Sequence, residues 1–90
     1  MNTRKLNAMP YAQAKVREYP EKALVILQSY ATDVIIISDG IMTVTGLYSA
    51  TTRKHISAFM REIGLNYQTA KNAYEGGYKF DIFTGEAIYE

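Results

Sequence analysis

The segment Val34-Ile35-Ile36-Ile37-Ser38-Asp39-Gly40-Ile41-Met42-Thr43-Val44-Thr45 decides the fold, because it places a two-residue turn between two apolar arms. Asp39 and Gly40 suit the central positions of a type I′ turn, both of which need positive φ. In the second arm, Met42 and Val44 alternate with threonines, which turns one side of the strand toward a core and the other toward solvent. The segment therefore predicts a β-hairpin.

The residues upstream of this turn predict a further strand and a helix. Residues 23–30 and the first hairpin arm are rich in β-branched side chains and too short to favour helices. The unbroken apolar run 34–37 favours a strand covered on both faces, since a half-exposed strand alternates. Residues 11–19 carry apolar side chains at i, i+4 and i+7 between Pro10 and Pro20, which predicts a short amphipathic helix.

Downstream of the hairpin the apolar spacing becomes helical and predicts two helices in succession. The first has Ser49 and Thr51 as candidate N-caps, and Gly64 ends it in a left-handed C-cap. The second covers 67–75, is capped by Asn66 and stops at two glycines. The apolar stripe of the first helix consists of Thr52, Ile56, Phe59, Met60 and Ile63.

Two short apolar stretches near the C-terminus, 80–83 and 86–89, flank Thr84-Gly85 and predict a strand or hairpin. The expected fold class is α+β: a small antiparallel sheet with its hairpin at Asp39-Gly40, a helical pair packed on one face, a short N-terminal helix and the C-terminal strand or hairpin. We expect a single domain over residues 1–90, because chains of this length rarely contain two cores, with residues 1–9 flexible.

Composition limits the classes of function. The 90 residues include no cysteine and one histidine, so we expect no disulfide, no metal site and no cofactor. A formal net charge of +1 does not indicate a strong binder of polyanions. The N-terminus lacks the apolar segment of a signal peptide, and no apolar run approaches the length of a membrane span, so we expect a cytoplasmic protein.

Catalysis is not favoured by the titratable residues. His55 is the only side chain that titrates near neutral pH, and the carboxylates are scattered without a spacing that forms an acid/base pair. The sequence therefore predicts that the protein is not an enzyme. The simpler interpretation of His55 is a partly buried imidazole that bonds to a strand end or a loop carbonyl.

The helical pair offers two patterns that are typical of binding. The segment 51–55 brings hydroxyls and cations to a helix N-terminus, where a phosphate could dock, although a solvated helix face explains the same charges more simply. The helix, glycine-containing turn and helix of 60–73 resemble a DNA-binding helix-turn-helix, whose second helix enters the major groove. Duplex DNA is therefore an alternative partner.

Tyrosine is over-represented, with eight residues against no tryptophan. A domain of this size cannot bury eight rings completely, and an exposed tyrosine suits a protein interface because it joins apolar area to a polar tip. With a near-neutral charge, this composition favours protein binding over unaided DNA binding. A homodimer stays open as a further alternative.

The stretch Gly46-Leu47-Tyr48-Ser49-Ala50-Thr51-Thr52-Arg53-Lys54-His55-Ile56, followed by Phe59, resembles a family of small uncharacterised proteins of phages, prophages and other mobile elements in Firmicutes. Members of that family carry a segment like G-x-Y-S-x-T-T-x-x-H-I-x-x-F. The segment 29–34 and the hairpin turn are also similar. The resemblance covers about residues 24–64, and the rest of the chain matches loosely.

The resemblance implies a mobile-element protein that acts in the host cell by binding. Such proteins commonly regulate the element or inhibit host defences. We expect an anti-CRISPR or other anti-defence inhibitor of a host protein or ribonucleoprotein complex, such as a type II CRISPR effector, and the alternative is a small helix-turn-helix regulator. The residues expected to contact the partner are Tyr48, Thr51, Thr52, Arg53, Lys54, His55, Arg61, Tyr67, Lys71 and Tyr74.

Overall fold

The computed structural model describes residues 1–89, which form one antiparallel sheet and two helices. The strands are β1 (Asn2–Lys5), β2 (Ala14–Tyr19), β3 (Leu24–Ser29), β4 (Thr32–Ser38), β5 (Ile41–Val44), β6 (Lys79–Asp81) and β7 (Ala87–Ile88); the helices are α1 (Ala50–Glu62) and α2 (Tyr67–Gly76). The strands lie in the sheet in the order of the sequence, and the helical pair connects β5 to β6. The α+β class is confirmed, with a sheet larger than the sequence predicted.

The central hairpin follows the prediction from its turn. Ser38 pairs with Ile41 across the turn, and Asp39 and Gly40 adopt φ values of 51° and 78°. Both residue types tolerate this left-handed conformation better than bulky ones, which fixes the register of β4 against β5.

The helix predicted over 11–19 is wrong, because residues from Ala14 to Tyr19 form β2 between β1 and β3. Ala14 and Val16 are buried, whereas Lys15 is exposed and Arg17 is half-buried. This alternation has the strand period of two, and the two neighbouring strands satisfy the backbone groups of β2 on both edges. Tertiary pairing therefore overrides the helical spacing.

The N-terminal segment, which we expected to be flexible, supplies the edge strand β1 and the fully buried Leu6. Glu62 at the end of α1 fastens it, since one carboxylate oxygen accepts from Arg4 Nη1 at 2.7 Å. The other oxygen accepts from the backbone N–H of Asn7 at 2.9 Å. One carboxylate thus joins the edge of the sheet to the end of the helix.

The apolar run 34–37 owes its continuity to a β-bulge. The register shifts between Leu27, which pairs with Ile35, and Gln28, which pairs with Asp33, so Val34 is the additional residue. Val34 and Ile35 are both fully buried in the core on the helix side, while Ile36 lies on the other face and is half-buried. The bulge, and not cover on both faces, therefore explains the run.

The helices begin and end near the predicted positions. The Ser49 hydroxyl accepts from Thr52 N at 3.2 Å, and the Asn66 side chain accepts from Thr69 N at 3.0 Å. Both helices pack on the same face of the sheet, which holds the core. Its principal members are Val16, Leu27, Val34, Ile35, Ile37, Met42, Val44, Ile56, Phe59, Met60, Ala70, Ala73 and Phe80.

The C-terminal hairpin is present as β6 and β7, in which Phe80 pairs with Ala87. The Asp81 carboxylate accepts from the backbone N–H groups of Phe83 and Thr84, which closes the turn between the strands. None of the helices described is long and apolar enough to cross a membrane.

Candidate functional site

A buried polar cluster of Ser29, Thr52 and His55 lies where β3 ends and α1 begins. The Ser29 hydroxyl is 2.9 Å from the Thr52 hydroxyl and 2.8 Å from His55 Nδ1. These three residues are between 1% and 4% exposed. Because buried polar groups cost free energy unless they are hydrogen-bonded, the three side chains hold strand and helix in one arrangement.

The imidazole in this cluster is neutral at pH 7. Burial lowers the pKa of His55 below its usual value of 6.5, because the charged form loses its hydration. One hydrogen bond joins Nδ1 of the neutral ring to the Ser29 hydroxyl. Ser29 is 2% exposed, so a substrate has no route to its hydroxyl, and the geometry indicates that the pair positions its neighbours.

Tyr30 is the first residue that the cluster positions. It follows Ser29 in the two-residue turn between β3 and β4, and its ring centroid lies 5.9 Å from that of His55. Its backbone N–H donates to the Gln13 carbonyl at 2.7 Å, which places the β1–β2 loop beside this turn. The side chain is nevertheless 54% exposed.

Tyr48 is held at the same end of the sheet by the loop between β5 and α1. The Thr45 hydroxyl donates to the Asp33 carbonyl at 2.8 Å, so the Tyr48 hydroxyl, 3.0 Å away, donates to Thr45. A Cβ on Gly46 would lie 2.8 Å from the Tyr48 ring, so only glycine permits this close approach. Tyr48 remains 51% exposed.

Three exposed tyrosines at this end of the sheet, Tyr11, Tyr30 and Tyr48, form what we call the tyrosine rim. They come from the β1–β2 loop, the β3–β4 turn and the β5–α1 loop, which all leave the sheet at the same end. Tyr11 is 95% exposed. Tyr30 and Tyr48 adopt φ values of 55° and 52°, a conformation that costs a bulky residue about 1–3 kcal/mol.

The ten residues predicted to contact a partner fall into an exposed and a less accessible set. The exposed members at the N-terminal half of α1 and beside it are Tyr48, Thr51, Arg53 and Lys54. Exposed members farther along the helical pair are Arg61 and Tyr74, and half-buried ones are Tyr67 and Lys71. Thr52 and His55 are buried, so they contribute through the buried polar cluster and not by direct contact.

Three residues of the site, Ser29, Tyr11 and Tyr30, were not among these ten. Ser29 gives no local signal, because its partners lie 23 and 26 residues away in the sequence. Tyr11 was assigned to a helix that does not form, so its position on the rim was hidden. An excess of tyrosine was the one signal that pointed to exposed rings.

The described residues contain no group of three or more His, Asp or Glu side chains that could hold a metal ion. The sequence model of a family of unknown function, DUF8033, matches residues 3–79. Searches of curated proteins and of solved structures gave no match.

Proposed function

The chain belongs to the family of unknown function DUF8033, and we propose that it is a non-catalytic protein-binding domain. The tyrosine rim is the observation that carries this proposal. Two of its three rings stand on backbone whose conformation is unfavourable for tyrosine, and glycine, which has no Cβ, would relieve that strain. A strained position that nevertheless exposes an aromatic ring is characteristic of a functional surface.

The chemistry of the rim suits a protein partner. Tyrosine contributes a large contact area at a low cost in side-chain entropy, and its hydroxyl forms hydrogen bonds at the edge of an interface. Arg53 and Lys54 are exposed on the first turns of α1, which follow Tyr48 directly. The partner surface is therefore one that accepts aromatic rings and carries acidic groups beside them.

Within this function, we propose that the partner is a host defence nuclease, such as a type II CRISPR effector bound to its guide RNA. The sequence resemblance of residues 46–59 to proteins of mobile elements supports this partner. The buried polar cluster supports it as well, since a pre-organised surface loses less entropy on binding and suits an inhibitor that occludes its target.

The test measures binding to purified type II nuclease–guide complexes by biolayer interferometry, and inhibition of DNA cleavage at a stoichiometric ratio. The wild type is expected to bind and to reduce cleavage. Tyr11→Ser and the double variant Tyr30→Ser/Tyr48→Ser are expected to weaken binding, the double variant by about 30-fold, the loss typical of an interface hot spot. Tyr11 is nearly fully exposed, so its replacement does not threaten folding.

Phe83→Ser is the matched control. Phe83 is 84% exposed and follows β6 at the opposite end of the sheet, so its loss should leave binding unchanged. Absence of binding and inhibition across type II effectors contradicts the nuclease partner. If all rim variants bind as tightly as the wild type, the tyrosine rim is not the binding surface.

Duplex DNA is the second candidate partner, and one observation favours it. Gln68 and Asn72 are exposed one turn apart on α2, joined by a 2.8 Å hydrogen bond, and amide side chains are suited to reading adenine in the major groove. Salt-dependent binding to operator DNA that is weakened by Arg53→Ala, Arg61→Ala and Lys71→Ala would favour DNA over a protein partner.

A further inference from the structure

The sheet has one face that neither helix covers, and we call this side, opposite α1 and α2, the open face. Two hydrogen bonds show which side chains share it, since Arg17 of β2 donates to the Gln28 side chain at 3.1 Å and to the Asp33 carboxylate at 2.9 Å. The second bond is an ion pair, so the charge of Arg17 is balanced within the face. Any unbalanced charge on this face therefore lies elsewhere.

The centre of the open face is apolar. Ile26 pairs directly with Ile36, and Leu24 and Ile41 both pair with Ser38. These four aliphatic residues are separate from the core on the helix side. Ile26 is only 8% exposed, and the other three are half-buried. Because an antiparallel sheet normally presents polar side chains on a face that stays in water, adjacent aliphatic side chains indicate a face that another surface covers.

Two lysines mark one corner of the open face. Lys5 of β1 pairs directly with Lys15 of β2, and both side chains are exposed. The adjacent pair, Arg4 and Val16, is directed to the helix side, where Val16 is fully buried, so the lysines lie on the open face. Neither lysine forms an ion pair with a carboxylate within residues 1–89.

Two carboxylates mark another corner of the same face. The register of β6 against β7 continues from the pair Phe80 and Ala87 to Asp81 and Glu86, where Asp81 N donates to the Glu86 carbonyl at 3.0 Å. Since Phe80 is buried in the core, the next pair lies on the open face. Among the described residues neither carboxylate is in an ion pair. Lys79, two positions before Asp81, adds one cation beside them, so the corner keeps an acidic excess.

The basic and acidic corners lie at opposite ends of one diagonal. Lys15 is near the start of β2 and Tyr19 ends it, and cross-strand pairing carries the row of Tyr19 over β3, β4 and β5 to Asp81. Like charges directly opposite each other are unfavourable in a sheet, yet this face has one such pair of each sign. An apolar centre between a basic corner and an acidic corner is complementary to itself.

We propose that the open face binds the open face of a second copy of this chain. A two-fold axis between the two sheets, perpendicular to the diagonal, places the basic corner of each protomer on the acidic corner of its partner. A closed dimer uses one patch twice, so each feature of the patch has to meet its complement, as it does here. Burial of the apolar centre drives association, and the charged corners set the orientation.

The size of the open face suits a stable dimer. Seven strands spaced by about 4.8 Å make it about 29 Å wide, and five residues per strand make it about 17 Å long. This outline, about 500 Å² before the relief of the side chains is added, approaches the ~800 Å² of accessible surface that each partner buries in a standard interface. The tyrosine rim comes from the connections between strands, so the dimer presents two rims and does not depend on the proposed protein partner.

The test is sedimentation equilibrium of the full chain between about 1 and 500 μM, the range that resolves micromolar dissociation constants. The wild type is expected to reach twice the monomer mass of 10.2 kDa. Ile36→Thr/Ile41→Thr keeps two β-branched side chains, which favour strands, and should weaken dimerisation by about 30-fold because hydroxyls replace buried apolar surface in both protomers. The control Tyr74→Ser changes a half-exposed ring on α2 and should leave the dimer intact.

A charge exchange tests the orientation. Lys15→Glu and Glu86→Lys should each weaken dimerisation by about tenfold, because each substitution occurs at two contacts of the dimer. An equimolar mixture of the two variants should regain the wild-type affinity, since one contact of the mixed dimer is native and the other exchanges the two charges. The matched control is Lys54→Glu, which makes the same charge change on α1 and should have no effect on dimerisation.

Four results would overturn the proposal: a wild type that stays monomeric at the highest concentration, a dimer that persists in Ile36→Thr/Ile41→Thr, a mixture no tighter than either charge variant alone, or an equal loss in Lys54→Glu. Tyr11→Ser should leave the dimer intact. The rim variants and their nuclease binding therefore remain an independent experiment.

Discussion

At the scale of the residue, His55 shows how a titratable side chain becomes a structural one. Its side chain is 1% exposed, bonds to Ser29 and lies against the Tyr30 ring, so it connects α1 to the turn that carries Tyr30 of the rim. A neutral imidazole satisfies this arrangement, whereas an imidazolium would bring an uncompensated charge into the interior. The stability of the fold therefore depends on the protonation state of one residue.

We predict that the free energy of unfolding decreases as the pH falls below about 6.5. The folded state keeps His55 neutral, because burial lowers its pKa, while the unfolded chain binds a proton with the ordinary pKa of 6.5. The contribution of neutral His55 to the free energy of unfolding is therefore fully present above pH 6.5. Below that pH the free energy of unfolding declines by at most about 1.4 kcal/mol per pH unit. Urea unfolding at pH 8.0, 6.5 and 5.5 measures the decline.

The control for this prediction is His55→Asn, whose amide can replace Nδ1 as a partner of Ser29 but does not titrate. The variant is expected to lose the pH dependence between 8.0 and 5.5. An equal decline in wild type and variant would assign the effect to other groups.

At the scale of the element, the β4–β5 hairpin combines a local turn signal with a distant contact. Gly40 has a φ of 78°, and a Cβ there would lie 2.8 Å from Cε2 of Phe83, a residue of the β6–β7 turn. The Gly40 carbonyl also accepts from Ile82 N at 2.9 Å. The two hairpins therefore meet at this glycine.

We predict that Gly40→Ala destabilises the protein by about 1–2 kcal/mol through its positive φ. The Phe83 ring is 84% exposed and can swing away, so the steric contact should add little. Thermal and urea unfolding of Gly40→Ala in the wild-type and Phe83→Ala backgrounds separate the cost of the backbone conformation from the cost of the contact with Phe83. A cost that disappears in the Phe83→Ala background would show that the contact, and not the backbone, determines it.

At the scale of the whole molecule, the edge strand and the helical layer depend on each other. The Glu62 side chain is 9% exposed and bridges Arg4 on β1 and the Asn7 backbone to the last turn of α1. These contacts join residues 58 and 55 positions apart, so they form after the sheet and the helix have come together.

We predict that Glu62→Gln lowers the free energy of unfolding by about 1–2 kcal/mol, because a nearly buried charge-assisted bond is lost and Arg4 is only partly shielded from solvent. Hydrogen exchange of residues 2–8 should accelerate more than that of the β4–β5 hairpin. The matched control is Glu75→Gln on the exposed side of α2, which should change neither quantity. Uniform acceleration across the sheet would contradict a local role for Glu62.

The sequence by itself determined the features whose physical causes are local. The Asp39-Gly40 turn, the helix caps at Ser49 and Asn66, and the helical apolar stripe each depend on neighbours within a few residues, and all appear as predicted. The excess of tyrosine likewise required exposed rings, although not their positions.

Only the tertiary structure decided what long-range pairing controls. It converted the segment predicted as a helix into β2, because pairing on both edges satisfies more backbone groups than an isolated short helix can. It buried Thr52 and His55 against Ser29, and it assembled the tyrosine rim from three separate connections. Sequence spacing determines local geometry, whereas contacts between residues 20 or more positions apart depend on how the strands pair and how the helices pack on the sheet.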